Sequence, residues 1–183
     1  MGQYILIGII VGMAAFVLLA ATQPAAFHME RSIAIAAPPE NAFAQVNDFH
    51  GWAAWSPFEK YDPNLKKTFG GPPSGVGSTY AWAGNAKAGE GRMTIERSEP
   101  PSLILIKLEF LKPFPAVSSA TFTFVPTAEG TRATWAMDSR RNFMMKAFSL
   151  FMDMDKMLGA EFDSGLAALK KIAEGSPTAT AAG

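Results

Sequence analysis

The amino terminus carries a long apolar segment that limits what the rest of the chain can be. From Tyr4 to Thr22, YILIGIIVGMAAFVLLAAT contains no ionisable side chain other than the Tyr4 phenol. At about 1.5 Å per residue, a helix over this segment spans just under the roughly 30 Å hydrocarbon core of a bilayer. A helix also satisfies its own backbone hydrogen bonds, as hydrocarbon requires. The segment therefore predicts a single-pass membrane anchor, with residues 1–27 forming the anchor and a linker.

A cleaved signal peptide is the alternative interpretation of this segment. Such a peptide needs a cationic start, but Met1 to Gln3 contains no Lys or Arg, and the apolar run is longer than that of a typical signal peptide. We therefore expect the segment to remain in the mature protein. The nearest cation, Arg31, stands beside Glu30, so charge leaves the orientation open. Analogy with N-terminal signal anchors favours a periplasmic or extracytoplasmic domain.

Charge and cysteine content exclude several classes of function. Lys plus Arg and Asp plus Glu number 16 each, and no basic block provides the electrostatic surface that nucleic-acid binding requires. The chain has no cysteine, which excludes disulfides, a thiol nucleophile and cysteine-bound metal. His28 and His50 lack a metal-ligand spacing, and no G-x-S-x-G motif is present. The sequence therefore predicts no nucleic-acid partner, no metal, no cofactor and no identifiable catalytic residue.

The predicted soluble part begins with one strand and two short helical segments, and residues 65–138 then follow the two-residue period of strands. HMERSIAI, from His28 to Ile35, alternates apolar and polar residues and predicts a first strand. PENAFAQVNDF then predicts a short helix, and a helical turn through Trp52 ends before Pro57. Five strand-like runs with short connections follow and predict an antiparallel meander, with LKKTFG as a further candidate strand. These runs are STYAWAG, GRMTIERSE, SLILIKLEF, ATFTFVPT and TRATWAMD.

The carboxyl-terminal part changes to the period of a helix. From Asn142 to Glu174, apolar side chains recur at offsets of three, four and seven, which predicts one long amphipathic helix. Gly159 and Gly165 each cost about 1 kcal/mol inside a helix, so we expect them to permit close approach to the sheet or a bend. The last residues, 175–183, are small and polar and predict a disordered tail.

One strand, two short helices, a run of antiparallel strands and a long last helix form the helix-grip arrangement. In this α+β fold a curved sheet wraps the last helix. The pieces RSIAIAAPPENAFAQVNDF, WAAWSPF, GSTYAWAG, GEGRMTIERSEPP, GTRATWAMD and MDMDKMLGAEFDSGLAALKKIAE resemble the polyketide cyclase/dehydrase and lipid-transport branch of the START-like (SRPBCC) superfamily. The resemblance predicts a helix-grip domain at residues 28–174. It implies a deep hydrophobic pocket and, in many members, lipid or other apolar ligands, but no single reaction.

Alternation assigns one face of each strand to the interior, opposite the long helix. A sheet wrapped on one helix encloses more volume than small side chains fill, so we expect apolar residues there to line a ligand cavity. The alternative is that these residues only fill a core. Trp55 and Trp82 are expected to close one end, and Trp52 to pack the short helices against the sheet. The candidate ligand-binding residues are Trp55, Trp82, Met93, Ile95, Leu108, Phe110, Phe122, Trp135, Phe148, Phe151, Leu158 and Phe162.

The sequence therefore predicts a membrane-anchored protein that binds a lipid or other hydrophobic small molecule and performs no chemistry of its own. A first alternative is a polyketide cyclase or aromatase, which needs a polar side chain projecting into the cavity. The local candidates for that side chain are Tyr80, Arg92, Glu96 and Asp138. A second alternative is a regulatory or protein-interaction domain with a collapsed cavity. A buried acid or tyrosine facing the interior would favour the first alternative, and a continuous pocket would argue against the second.

Overall fold

The computed structural model describes residues 2–151 and 153–176. These residues contain four α-helices: α1 (Gly2–Thr22), α2 (Pro39–Asn47), α3 (Phe143–Phe148) and α4 (Met154–Gly175). Two short 3-10 helices, Phe49–Ala54 and Pro57–Lys60, follow α2. The seven strands are β1 (Ala26–Ile35), β2 (Lys66–Gly70), β3 (Thr79–Ala83), β4 (Glu90–Glu99), β5 (Leu103–Lys112), β6 (Ala116–Thr127) and β7 (Gly130–Arg140).

All seven strands form one antiparallel sheet in the order β1-β7-β6-β5-β4-β3-β2. The strands β2 to β7 follow one another as neighbours, so the predicted meander is confirmed and the LKKTFG run is its first strand. The strand β1 joins the other side by pairing with β7 along its whole length, from Ala26 opposite Arg140 to Ile35 opposite Thr131. The predicted α+β helix-grip fold is confirmed.

The strand register defines two opposite edges of this sheet, formed by the strand ends. At one edge β1 begins, directly after α1, and pairs with the end of β7. The end of β5 and the start of β6 lie at the same edge, with Phe110 opposite Ala116. We call this edge the anchor-side edge. The far edge is the opposite one, where β1 ends and β7 begins.

Helix α4 covers the inner face of the sheet over β1 and β7, and it also contacts α2. Close approach of the predicted kind is confirmed at Gly165. A Cβ atom added there would lie 2.9 Å from Pro57 Cδ and 2.9 Å from Trp135 Cζ3. A side chain at Gly159 would collide with the guanidinium of Arg31 on β1. The buried stripe of α4 consists of Phe162, Leu166, Leu169 and Ala173.

The methyl group added by Gly165→Ala overpacks a site bounded by a proline ring and a buried indole, which costs about 1–3 kcal/mol. The gain in helix propensity, about 1 kcal/mol, offsets part of this cost, so the free energy of unfolding is expected to fall by up to about 2 kcal/mol. The matched control is Gly175→Ala, since no atom of a described residue lies within 4 Å of a Cβ built at Gly175. Urea unfolding in mild detergent, followed by Trp fluorescence, compares the two variants. A Gly165→Ala protein as stable as Gly175→Ala would contradict the close approach.

The single helix expected from Asn142 to Glu174 is wrong, because two helices occupy this region. Helix α3 ends at Phe148, and α4 begins only at Met154. The side chain of Asp153 accepts the backbone N–H of Lys156 at 3.0 Å and caps the start of α4. A capping aspartate favours a helix start over helix continuation, since its backbone is not helical. The apolar period continues across this break, which is why the sequence predicted one helix.

The chain begins with an apolar helix, as the sequence predicted. Helix α1 contains 21 residues and is exposed along nearly its whole length. Its one buried residue, Ala20, lies next to the end of the helix. The predicted tail, residues 175–183, lies outside the described residues after Ser176.

Candidate ligand-binding site on the inner face of the sheet

The centre of the inner face is filled by stacked aromatic rings. Trp135 on β7 lies opposite Phe122 on β6, and their ring centroids are 4.9 Å apart. Phe162 of α4 stacks on the other side of Trp135, with centroids 3.9 Å apart and planes 12° from parallel. Trp55 meets Trp135 edge to face at 5.7 Å. This part of the interior is a packed core, because aromatic rings at these distances leave no room for a ligand between them.

Three tryptophans in this core differ in how their indole N–H groups are satisfied. Trp52 donates to the carbonyl of Val46 at 3.0 Å, and Trp55 donates to the carbonyl of Gln45 at 3.3 Å. Both acceptors belong to α2, so the two indoles fasten this helix to the sheet, as predicted for Trp52. The indole N–H of Trp135 finds no acceptor within the described residues, although the side chain is buried.

Apolar side chains on the inner face become less buried toward the anchor-side edge, where they are only partly covered. Leu108 lies on β5 between Met93 and Ser118, its neighbours on the adjacent strands. The ring of Trp82 covers Gly91, where a Cβ atom would collide with it. A curved sheet whose inner face is packed in one half and partly open in the other offers an apolar surface for a ligand. The partly buried side chains of this open half are Trp82, Leu108, Phe110, Met137 and Leu158.

A buried acid and tyrosine adjoin the open half. The hydroxyl of Tyr80 on β3 donates to Glu59 Oε1 at 2.6 Å, and Lys67 on β2 forms an ion pair with the same carboxylate. The side chain of Glu59 is 10% exposed. Burial, and then the bond to Glu59, raises the pKa of Tyr80 far above its usual value, so the phenol stays protonated and acts as a donor at neutral pH. The arrangement supplies one hydroxyl and one carboxylate at the interior surface.

Two further polar pairs lie at the interior. Tyr61, at the end of the second 3-10 helix, donates to Glu161 of α4 at 3.0 Å, and burial raises the pKa of Tyr61 to about 12. The hydroxyls of Ser118 and Ser139 are 2.9 Å apart on neighbouring strands, and both residues are buried. Each pair satisfies its own polar groups, which lowers the cost of burial.

Of the four polar candidates named from the sequence, Tyr80 alone faces the interior. Arg92 forms a 2.8 Å ion pair with Glu109 on the outer face. Asp138 accepts a 2.7 Å hydrogen bond from His28 Nδ1, also on the outer face, and Glu96 is exposed. The alternation of the strands accounts for Arg92 and Asp138, whose neighbours are buried or partly buried, whereas Glu96 lies at a register shift between Ile95 and Arg97.

The twelve candidate ligand-binding residues fall into three groups. Trp55, Met93, Ile95, Phe122, Trp135 and Phe162 are buried, while Trp82, Leu108, Phe110 and Leu158 are partly buried. The prediction that Phe148 and Phe151 line the cavity is wrong. Both side chains lie outside the interior, and the ring centroid of Phe151 is 6.0 Å from that of Phe16 on α1. The break between α3 and α4 turns these two side chains away from the sheet.

Sequence reasoning missed Glu59, Tyr61 and the serine pair. The two serines could have been found from the sequence, because Ser118 and Ser139 continue the two-residue period of the inner faces of β6 and β7. No comparable signal marks Glu59 or Tyr61, since both belong to a short 3-10 region without a sustained period.

A second hollow, of about 280 Å³, lies outside the sheet interior. Its lining includes His50 and Phe69, whose rings stack at 4.2 Å, and the glycines and prolines at the end of β2. It is open to solvent, and the ring of Phe69 in its lining stacks on Tyr80 with centroids 5.2 Å apart. Within residues 2–151 and 153–176, no three His, Asp or Glu side chains are grouped as metal ligands would be.

Comparison with known proteins agrees with this architecture. The family model described as polyketide cyclase/dehydrase and lipid transport matches residues 26–174. No curated protein matches the chain in sequence. Three solved structures illustrate the fold similarity at identities too low to carry function across.

The first is protein CV1439 from Chromobacterium violaceum, with 15% identity, a TM-score of 0.58 and coverage of 84% of this chain and 100% of that one. The second is the di-domain ARO/CYC BexL from the BE-7585A biosynthetic pathway, with 16% identity, a TM-score of 0.61 and coverage of 88% and 54%. The third is the Aha1 dimer from Colwellia psychrerythraea, with 14% identity, a TM-score of 0.57 and coverage of 81% and 96%. This chain therefore spans about half the length of BexL.

Proposed function

Because this chain belongs to the polyketide cyclase/dehydrase and lipid transport family, we propose that it binds a lipid or other apolar small molecule while α1 anchors it in a membrane. The observation that carries the proposal is the open half of the inner face, where Trp82, Leu108 and Phe110 are partly buried beside a fully packed core. Apolar side chains left half covered inside a curved sheet gain free energy when a ligand covers them. The ligand would lie on this half.

Helix α1 supports the membrane part of the proposal. It is long and apolar enough to cross a bilayer, and it precedes β1 by only three residues, Gln23 to Ala25. A domain held this close to the bilayer meets lipids at a high effective concentration. We therefore propose a single-pass membrane protein.

Sequencing the amino terminus of the protein from the membrane fraction tests the anchor. The expected result is an intact segment from Tyr4 to Thr22 and retention in the pellet after alkaline carbonate, because a spanning helix is not released by pH or salt. A mature chain that begins near Gln23 would show a cleaved signal peptide instead.

Native mass spectrometry of the full chain, released from detergent, tests the ligand. We expect a lipid-sized mass to accompany the protein purified from its own cells. If the protein carries no such mass, and lipids added in detergent do not bind to it, the ligand-binding proposal fails and the regulatory alternative gains support.

One observation favours an enzyme as the second candidate function. Tyr80 is a buried, protonated donor 2.6 Å from the Glu59 carboxylate, and both adjoin the open half. The hydroxyl of such a pair can turn to hydrogen-bond a ketone oxygen of a bound polyketide-like substrate, while the Glu59 carboxylate takes a proton from the adjacent carbon and the electron pair moves onto that oxygen. Tyr80→Phe separates the candidates: it keeps the ring and therefore ligand retention in both cases, but it abolishes turnover of a polyketone substrate only if the protein is a cyclase.

A further inference from the structure

The segment between β7 and α4 exposes a cluster of large apolar side chains. Helix α3, whose six residues are all described, buries none of them. Phe143, Met144 and Phe148 each expose about half of their surface, and Phe151 exposes 77%. A group of this size on a water-soluble surface marks an interaction site. We call Phe143, Met144, Phe148 and Phe151 the α3 patch.

The α3 patch lies beside the end of α1. Phe151 stacks on Phe16 with ring centroids 6.0 Å apart, and Lys146 Nζ lies 3.4 Å from the carbonyl oxygen of Ala21. Ala20, which lies on α1 between Phe16 and Ala21, is fully buried. The backbone N–H of Arg141 also donates to the carbonyl of Ala25 at 2.8 Å, which joins the entry to α3 to the exit from α1. The patch is therefore located where α1 would leave a bilayer.

A second exposed apolar group lies at the same edge of the sheet. The end of β5, the turn after it and the start of β6 expose Leu111, Phe114 and Val117 by more than half, and we call this segment, residues 111–117, the β5–β6 turn. The register places this turn at the anchor-side edge, because Ser118 pairs with Ser139, one residue before the end of β7. Two sequence-distant groups of apolar side chains thus flank the edge next to α1.

Basic side chains are concentrated around the α3 patch. Residues 139–151 contain Arg140, Arg141 and Lys146 and no acidic residue, although the chain as a whole has equal numbers of basic and acidic side chains. Within the β5–β6 turn, Lys112 is paired with Glu90 at 2.9 Å, so the positive charge next to the two groups comes mainly from residues 139–151. Large apolar side chains interspersed with Lys and Arg suit the interface of an anionic bilayer, where rings enter the headgroup region and cations meet the phosphates.

We infer that the α3 patch and the β5–β6 turn dock the domain on an anionic lipid bilayer beside α1. This inference rests on the proposed function, since it requires α1 to be in the membrane. Docking at this edge turns the open half of the inner face toward the headgroups, because Trp82, Phe110 and Leu108 lie in the rows of the sheet nearest the anchor-side edge. An apolar ligand then passes between the bilayer and the open half without crossing water. The partner of this surface is thus a lipid bilayer.

Spin labels on single cysteines test the docking in the full chain, which contains no natural cysteine. Labels at Phe114→Cys and Phe148→Cys report the two docking groups. A label at Val125→Cys, exposed on the far part of β6, is the matched aqueous control, and one at Val11→Cys reports α1. The protein is reconstituted in phosphatidylcholine vesicles containing phosphatidylglycerol. Collision with oxygen and with a water-soluble nickel complex gives the depth of each label.

We expect the labels at positions 114 and 148 to collide several-fold less with the nickel complex than the label at 125, and more with oxygen. Removing phosphatidylglycerol, or adding Arg140→Glu with Lys146→Glu, should reverse much of this protection. If the label at position 11 lies inside the bilayer while the labels at 114 and 148 are as exposed to water as the label at 125, the docking proposal is wrong and the anchor proposal stands. An aqueous label at position 11 would overturn the anchor itself. Spin–spin broadening at 148 that disappears on dilution with unlabelled chain would show a second copy on this face and overturn the lipid assignment.

Discussion

Trp135→Ala is expected to lower the free energy of unfolding by about 3–5 kcal/mol, the range for removing a large aromatic side chain from a core. Trp135 is 3% exposed and lies between the rings of Phe122 and Phe162. Its removal takes away the ring on which Phe162 stacks and against which Gly165 packs, and it leaves a cavity between β7 and α4. Urea unfolding in mild detergent measures the change.

Two companion variants give this result its meaning. Trp135→Phe keeps a ring in the stack and sacrifices no hydrogen bond to a described residue, so it should cost much less than the alanine variant. Arg132→Ala alters an exposed residue on the outer face of the same strand and should change stability by no more than about 0.5 kcal/mol. A midpoint for Trp135→Ala close to that of Arg132→Ala would mean that the two faces of β7 are assigned the wrong way round.

Leu108→Gln is expected to lower ligand retention by about ten-fold while leaving the domain folded. The side chain of Leu108 is partly buried in the open half, where the proposed ligand would cover it. Covering an amide with an apolar ligand costs about 1–3 kcal/mol when no new hydrogen bond forms, and 1.4 kcal/mol corresponds to a factor of ten in affinity. The fraction of protein that carries a lipid-sized mass in native mass spectrometry measures the loss.

Leu105→Gln is the matched control, since the same substitution is made three residues earlier on β5. Leu105 is also partly buried, but it lies on the outer face, opposite Thr121 and Arg97. It should retain the ligand as the unaltered chain does. Equal loss in both variants would mean that lipid adheres to α1 or to the outside of the sheet, and the open half would no longer be the site.

Much of the fold followed from residue periodicity, because each strand has one face turned to the core. Met93, Ile95, Phe122 and Trp135 were assigned to the inner face by alternation, and all four are buried. Alternation carries this information since neighbouring side chains of a strand point to opposite faces. The role of Gly165 was also predicted from the sequence. A glycine inside a helix lowers helix stability, and close packing against a neighbouring element is a reason to find one there.

The site was less accessible, because its composition depends on contacts between distant parts of the chain. Tyr80 and Glu59 are 21 positions apart, and no periodic pattern relates a residue of a 3-10 helix to a residue of a strand. Phe148 and Phe151 follow the apolar period of the last helix and were placed in the interior for that reason. The capping interaction at Asp153 divides that helix, and the two phenylalanines lie outside, one of them against α1.

By itself the sequence determined two properties that local chemistry controls. The first is an apolar helix of bilayer length at the amino terminus, since no charge interrupts it, and the second is which face of each strand is apolar. The tertiary structure alone decided how the inner face is shared between core and site. Phe162 and Trp55 reach Trp135 from separate elements and fill the centre, whereas α4 lies over β1 and β7 and leaves Leu108 and Phe110 partly uncovered. Packing of this kind depends on where whole elements come to lie, and a local pattern does not contain that position.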